Sequence, residues 1–209
     1  MGIEIERAAR EPLDAAGLCA ALFADGVAVQ NHFLTLPRVR ELVECAEMRR
    51  ARGDFAAARI GADDRLQRRE EIRGDSTCWL AEPMFAGERS LLNDLDQLRL
   101  ELNREGYLGL FDLEVHYAWY PPGAGYARHV DQLQGRDQRK LSIVLYLNER
   151  WPPEAGGELR IFGQDGPRDI GPIAGRLVCF LTAGREHEVL PTRQGRWSIT
   201  GWFRQRVGA

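Results

Sequence analysis

The sequence predicts a mainly β domain with flanking N-terminal helices, and three observations carry that expectation. Apolar residues recur at helical spacing in the first half of the chain. From Leu113 onward the period changes to two, in short runs separated by Gly, Pro and Asp clusters. Many short strands at regular spacing make a sandwich, a barrel or a jelly roll. No internal repeat or linker composition divides the 209 residues. A single domain over 1–209 is therefore expected, with helical support over about 13–110 and the β core over about 111–204.

The helical half reads in order. "PLDAAGLCAALFADG" places Leu18, Ala21 and Leu22 at helical spacing, and "GVAVQNHFL" then reads as a strand. "TLPRVRELVECAEMRRARG" has Thr35 as a cap, an early Pro37 and an apolar face of Val39, Leu42, Val43 and Ala46. Its arginines 38, 40, 49, 50 and 52 alternate with Glu41, Glu44 and Glu47, which reads as a solvated face. "ERSLLNDLDQLRLELNREG" carries Leu91, Leu95, Leu98 and Leu102 on one stripe, closed by Gly106. Between the last two helices, residues 56–71 are polar and charged, a long loop of the kind that serves as a lid or binding loop.

The β half contains "LEVHYAWY", "KLSIVLYLN", "GELRIF", "RLVCFL", "HEVL" and "RWSITGWFR". In "KLSIVLYLN", Ser142, Val144 and Tyr146 fall on one face and Leu141, Ile143, Leu145 and Leu147 on the other.

Composition narrows the function classes. A hydrophobic share of 44% and a charged share of 28% fit a globular chain. A net charge of −3 gives no reason to expect nucleic acid or an anionic membrane as partner. No apolar run approaches the roughly 18 residues of a membrane span. The acidic start "MGIEIERAAREPLD" lacks the regions of a secretory signal. Four scattered cysteines without CxxC spacing read as reduced core residues, so a cytoplasmic location is expected.

Chemistry concentrates near "YPPGAGYARHVD". On an extended strand His129 and Asp131 share a face, and an imidazole with a carboxylate supplies two ligands of a two-histidine, one-carboxylate site. With four histidines in the chain, a chance His-x-Asp is common, and a surface polar pair beside a turn stays open as a reading. His187, opening "HEVLP", is a third ligand if its strand neighbours that of His129. Arg196 starts the last strand with Ser198, Thr200 and Trp202 on its face, suited to holding a carboxylate in a bidentate fork. His116 shares a face with Tyr120, which leaves open a place in the pocket lining or an ordinary satisfied half-buried position, and it is outside the ligand set.

These residues carry a resemblance. His129-x-Asp131, His187 and Arg196, with "EIRGDSTCWL", "GYARHVD", "LYLNERW" and "GGELRIF", resemble the iron(II)/2-oxoglutarate dioxygenases of the prolyl 4-hydroxylase group, bacterial-type members of the branch containing the hypoxia-inducible-factor prolyl hydroxylases. The resemblance runs from about residue 13 to about 204. It implies a double-stranded β-helix, a cupin-like jelly roll, with iron(II) on His129, Asp131 and His187. It implies 2-oxoglutarate and dioxygen as co-substrates, with the far carboxylate of 2-oxoglutarate on Arg196, Tyr146 and Thr200, and ascorbate as a reductant. The implied reaction is hydroxylation of a prolyl residue in a protein, with succinate and carbon dioxide as co-products and elongation factor Tu as the first substrate to test. Tyr120, Tyr126 and Trp202 would wall the substrate pocket, together with the loop carrying Arg73 and Asp75. Asp75 is expected to pair with Arg139. A monomer is the default assembly. The same chemistry on a small molecule or another side chain is the alternative, followed by a non-enzymatic metal-binding jelly roll or sensor.

Overall fold

The computed structural model describes residues 12–58, 72–131 and 138–206. Its elements run α1 (Ala15–Asp25), β1 (Val27–Gln30), α2 (Leu36–Ala51), β2 (Ala56–Ala57), β3 (Ser76–Trp79), α3 (Ala86–Gly106), β4 (Asp112–Tyr120), β5 (Tyr126–His129) and β6 (Arg139–Tyr146). A 3-10 turn at Pro153–Ala155 precedes β7 (Leu159–Gly163), β8 (Gly166–Ile170), β9 (Leu177–Leu181), β10 (His187–Val189) and β11 (Arg196–Arg204). Seven strands form one sheet in the order β1-β9-β6-β11-β4-β3-β2, and four form a second in the order β5-β10-β7-β8. All pairings between these strands are antiparallel. This is the expected jelly roll.

Strand alternation divides the core in two. Leu141, Ile143 and Leu145 of β6, Leu177 and Cys179 of β9, and Ile199 and Phe203 of β11 face the helices. There they meet Leu18, Leu22, Val39, Leu42 and the fully buried α3 stripe of Leu91, Leu95, Leu98 and Leu102. Val144 and Tyr146 of β6, Val178 and Phe180 of β9, and Ala118 and Tyr120 of β4 pack instead with Leu159, Ile161 and Val189 of the smaller sheet. The helices thus brace one face of the large sheet and leave its other face, opposite the small sheet, to build the site. All four cysteines are free and buried, as their scatter suggested.

Local departures from the sequence reading have physical causes. The strand expected over "GVAVQNHFL" ends at Gln30, and His32 turns the chain at a φ of 53°. Both Phe33 and Leu34 are then buried, which strict strand alternation forbids. Gly106 does not supply the left-handed cap of α3; Tyr107 does, at a φ of 50°. Gly106 is small for another reason: a Cβ there would stand 2.8 Å from Cys19 Sγ on α1. Strand β8 has no apolar alternation to reveal it, since four of its five residues are exposed on a sheet edge. Within the expected 56–71 loop, Ala56–Ala57 form β2, and 59–71 lie outside the described residues. Thr35 occupies the N-cap position of α2, although its side chain makes no capping hydrogen bond.

The arginines of α2 are not uniformly a solvated face. Arg40 pairs with Glu149 at 2.6 Å on the surface, whereas Arg49 is buried and forks onto fully buried Glu88 of α3 at 2.6 and 2.7 Å. Glu88 also accepts the backbone N–H of Phe85, closing the N-terminus of α3. Removing one partner of a buried pair strands the other charge. Glu88→Ala is therefore expected to lower unfolding free energy by about 3–5 kcal/mol in urea titration, well beyond the loss from Glu149→Ala.

Candidate active site

Strand pairing brings the three metal-ligand candidates together. His187 on β10 lies directly opposite His129 at the end of β5, and the rings stand 4.2 Å apart between centroids. Asp131 is not on the strand itself, as its spacing suggested, but in the bend beyond β5. Its carboxylate still reaches both imidazoles, at 3.6 Å from His129 Nε2 and 3.6 Å from His187 Nε2. The three candidate ligand atoms all lie within 4.8 Å of one another.

Surrounding groups fix these three side chains. His129 Nδ1 is 2.8 Å from the Ala127 carbonyl, and His187 Nδ1 is 3.1 Å from the Arg185 carbonyl. A carbonyl can only accept, so each Nδ1 carries the proton and each Nε2 presents its lone pair to the centre. Ser142 Oγ donates to Asp131 Oδ2 at 2.6 Å. Burial alone would raise the Asp131 pKa, but the imidazoles of His187 and His129 outweigh it and hold the carboxyl well below the usual range. Burial lowers the pKa of His129, favouring the neutral form a metal needs. Tyr126 stacks on His129 at 3.6 Å and 16°, and the guanidinium of Arg73 covers the tyrosine at 4.7 Å. Because outer hydrogen bonds orient ligands, Ser142→Ala is expected to weaken metal binding ten- to hundredfold in a chelator competition.

A cavity of about 1190 Å³ joins this cluster to Arg196. Arg196 is 1% exposed, donates Nε to the Gly157 carbonyl at 2.9 Å and Nη1 to Ser198 Oγ at 3.2 Å, and among the described residues pairs with no carboxylate. The rings of Tyr120 and Tyr146 flank its guanidinium at 4.9 and 5.1 Å. Tyr146 is fully buried and its hydroxyl has no partner among the described residues. A buried cation with no carboxylate partner, beside a buried hydroxyl with no partner, is suited to a ligand carboxylate. Close approach shapes this end too: at Gly157, with a φ of 72°, a Cβ would lie 3.1 Å from Arg196 Cδ.

The remaining expected residues distribute along the same cavity. Thr200 and Trp202 line it from β11, and Tyr120, Tyr126, Arg73, Asp75 and Arg139 line it as well. The expected Asp75–Arg139 pair does not form. Buried Asp75 is forked by Arg73 at 2.7 and 3.1 Å, and Arg139 pairs with Glu114 at 2.7 Å while covering the Trp202 ring at 3.6 Å. Asp75 is two residues from Arg73 in the turn before β3, so the local partner wins. Sequence reasoning missed Ser142, Ser198 and Gly157 as site residues. The first two sit on faces already singled out for Tyr146 and Arg196, and Gly157 lies inside the "GGELRIF" segment.

Comparison with known proteins agrees with this geometry. The 2OG-Fe(II) oxygenase superfamily profile matches residues 115–204. Mouse prolyl hydroxylase EGLN3 is 34% identical over 179 residues, covering 80% of this chain and 71% of that protein. Human Egl nine homolog 1 is 37% identical over 145 residues, of which this chain spans 33% of the length. The crystal structure of a Pseudomonas putida prolyl-4-hydroxylase superposes with a TM-score of 0.83 at 42% identity, covering 92% of this chain and 99% of that one. A Trichoplax adhaerens prolyl hydroxylase, solved with a hypoxia-inducible-factor peptide fragment, matches with a TM-score of 0.83 at 27% identity, covering 91% and 89%. With the fold, the histidine–aspartate–histidine cluster and these relatives in agreement, the chain belongs to the 2OG-Fe(II) oxygenase superfamily, in its prolyl hydroxylase branch.

Proposed function

We propose that the protein hydroxylates a prolyl residue of a protein substrate at C4, using iron(II), 2-oxoglutarate and dioxygen. The observation that carries this reading is the buried Arg196 without a carboxylate, in the same cavity as His129, Asp131 and His187. The donor set fits the metal: His129 and His187, each through Nε2, and the Asp131 carboxylate would hold iron(II) and leave coordination positions open, the metal displacing the proton that Asp131 favours on His187. When bound, iron(II) would supply a coupled oxidation by dioxygen, one oxygen atom going to 2-oxoglutarate as it becomes succinate and carbon dioxide and the other into a substrate C–H bond.

The chain's own residues bind and orient. His129, Asp131 and His187 would hold the metal, with Ser142, Tyr126 and two backbone carbonyls fixing their rings and charge. Arg196, Tyr146 and Ser198 would take the far carboxylate, and Thr200 faces the same cavity. No side-chain base is required, and none of suitable position is needed from Asp75 or Glu114, which are committed to Arg73 and Arg139. Trp202 and Tyr126 line the cavity with their ring edges, since His116 and Arg139 cover the one ring and His129 and Arg73 the other, and half-exposed Trp79 lines it as well. Ascorbate would serve as a reductant that keeps the metal as iron(II).

A prolyl residue of elongation factor Tu is the first substrate to test, offered as an intact protein and as proline-containing peptides. The expected result is a gain of one oxygen atom on one proline, dependent on 2-oxoglutarate, with free proline unchanged. Succinate formation without any modified peptide would shift the reading to a small molecule or another side chain.

A further inference from the structure

Two ring nitrogens of His116 and the indole nitrogen of Trp202 are buried with no partner among the described residues, and both side chains line the cavity. His116 is 1% exposed. It lies between Trp79 at 4.8 Å and Trp202 at 5.5 Å, the latter nearly parallel at 26°. Stacked rings cannot satisfy each other, because their N–H groups point outward in the ring planes. Leaving such donors dry is costly, and buried polar groups in native proteins almost always find an acceptor.

Strand register says where that acceptor belongs. Across the large sheet Ala118, Ser198 and Tyr146 form one inward-facing row, beside Arg196. The next inward row is His116, Thr200 and Val144. Two residues along a strand advance about 6.6 Å, close to the span of an extended five-carbon diacid. A diacid whose far carboxylate sits on Arg196 and Tyr146 therefore ends beside the His116–Thr200 row. The following row contains Trp202 and Ser142, and Ser142 is hydrogen-bonded to Asp131. His116 and Trp202 thus stand at the metal end of the co-substrate's path. Burial, with the nearby charges of Arg73 and Arg139, pushes the His116 pKa down to about 3, so the ring is a neutral donor there.

We propose that His116 and Trp202 donate hydrogen bonds to the metal-proximal carboxylate of 2-oxoglutarate, forming a second carboxylate subsite opposite the Arg196 anchor. The inference rests on the co-substrate reading given above and adds two binding residues to it. Among the described residues, Asp75, Asp131 and Glu114 near this wall are already engaged, with Arg73, with Ser142 and with Arg139 respectively, and Asp54 and Glu82 elsewhere in the lining pair with Arg49 and Arg89. Neutral donors suit this position: they orient a carboxylate without neutralising the charge that Asp131 contributes.

The test is titration calorimetry under nitrogen on protein loaded with manganese(II), comparing 2-oxoglutarate with 4-oxopentanoate. The second ligand keeps the distal carboxylate and the ketone but has a methyl group where the proximal carboxylate stands. His116→Phe preserves an aromatic stack, and Trp202→Phe removes only the indole donor and part of the wall. Each is expected to weaken 2-oxoglutarate ten- to hundredfold while changing 4-oxopentanoate less than twofold. An equal loss for both ligands would make the residues structural and overturn the proposal, as would no loss for either. If wild-type protein bound the two ligands equally and Arg196→Ala changed neither, the co-substrate reading itself would fall, and the subsite with it.

Discussion

Asp131→Ala is expected to abolish stoichiometric iron(II) binding and to reduce turnover below detection. The carboxylate supplies the single negative charge in the three-residue cluster and sits 3.6 Å from both imidazoles. Its loss removes a ligand and also the acceptor of the Ser142 hydroxyl. Metal affinity should fall by more than the ten- to hundredfold typical of losing an outer hydrogen-bond partner. The pair of experiments is informative together: Ser142→Ala should weaken metal binding yet retain activity at high iron, whereas Asp131→Ala should not recover at any iron concentration. Iron content after gel filtration and succinate release measure the two effects. Full turnover with bound iron in Asp131→Ala would mean that the cluster is not the metal site.

The second large effect is expected at Arg196. Charge-assisted forks contribute about 1.5–3 kcal/mol, so Arg196→Ala should weaken 2-oxoglutarate about ten- to hundredfold. Metal affinity without the co-substrate should remain as in the wild type, because Arg196 contacts Gly157 and Ser198 and none of the three ligands. Arg196→Lys should rescue only in part, since an ammonium is shorter and cannot keep both the Gly157 contact and a fork. Tyr146→Phe should give a smaller loss, of about tenfold, because one hydroxyl donor is removed and the ring against Arg196 is kept. Unchanged affinity in Arg196→Ala would remove the anchor from the account.

The parts of the fold legible in the sequence are those with strong periodicity. The Leu91, Leu95, Leu98 and Leu102 stripe is fully buried, and the two faces assigned within "KLSIVLYLN" separate into the two cores. Strand β8 is invisible in the sequence because an exposed edge strand needs no apolar face, and β3 because Ser76–Trp79 buries only Cys78 and so shows no apolar alternation. The candidate cluster is legible because the chain has only four histidines, and His187 is the cross-strand neighbour of His129, although Asp131 reaches them from the bend beyond β5. The Asp75–Arg139 pairing failed because sequence shows which charges exist and not which guanidinium arrives first; Arg73 was nearer. Strand alternation puts His116 on the face of Tyr120 without distinguishing a pocket-lining residue from a satisfied half-buried one. Only the three-dimensional arrangement reveals two unpartnered ring nitrogens beside an equally unpartnered indole.

The central claim is prolyl hydroxylation of a protein, and the most direct measurement is proteome-wide peptide mass spectrometry on host cells. Cells carrying the wild-type gene are compared with cells carrying Asp131→Ala, and prolines that gain one oxygen atom are sought. A hydroxylated proline present only with the wild type is expected, and it would establish the reaction and name the substrate together. Identical proline modification in both strains, with succinate formed by the purified wild-type protein, would contradict it.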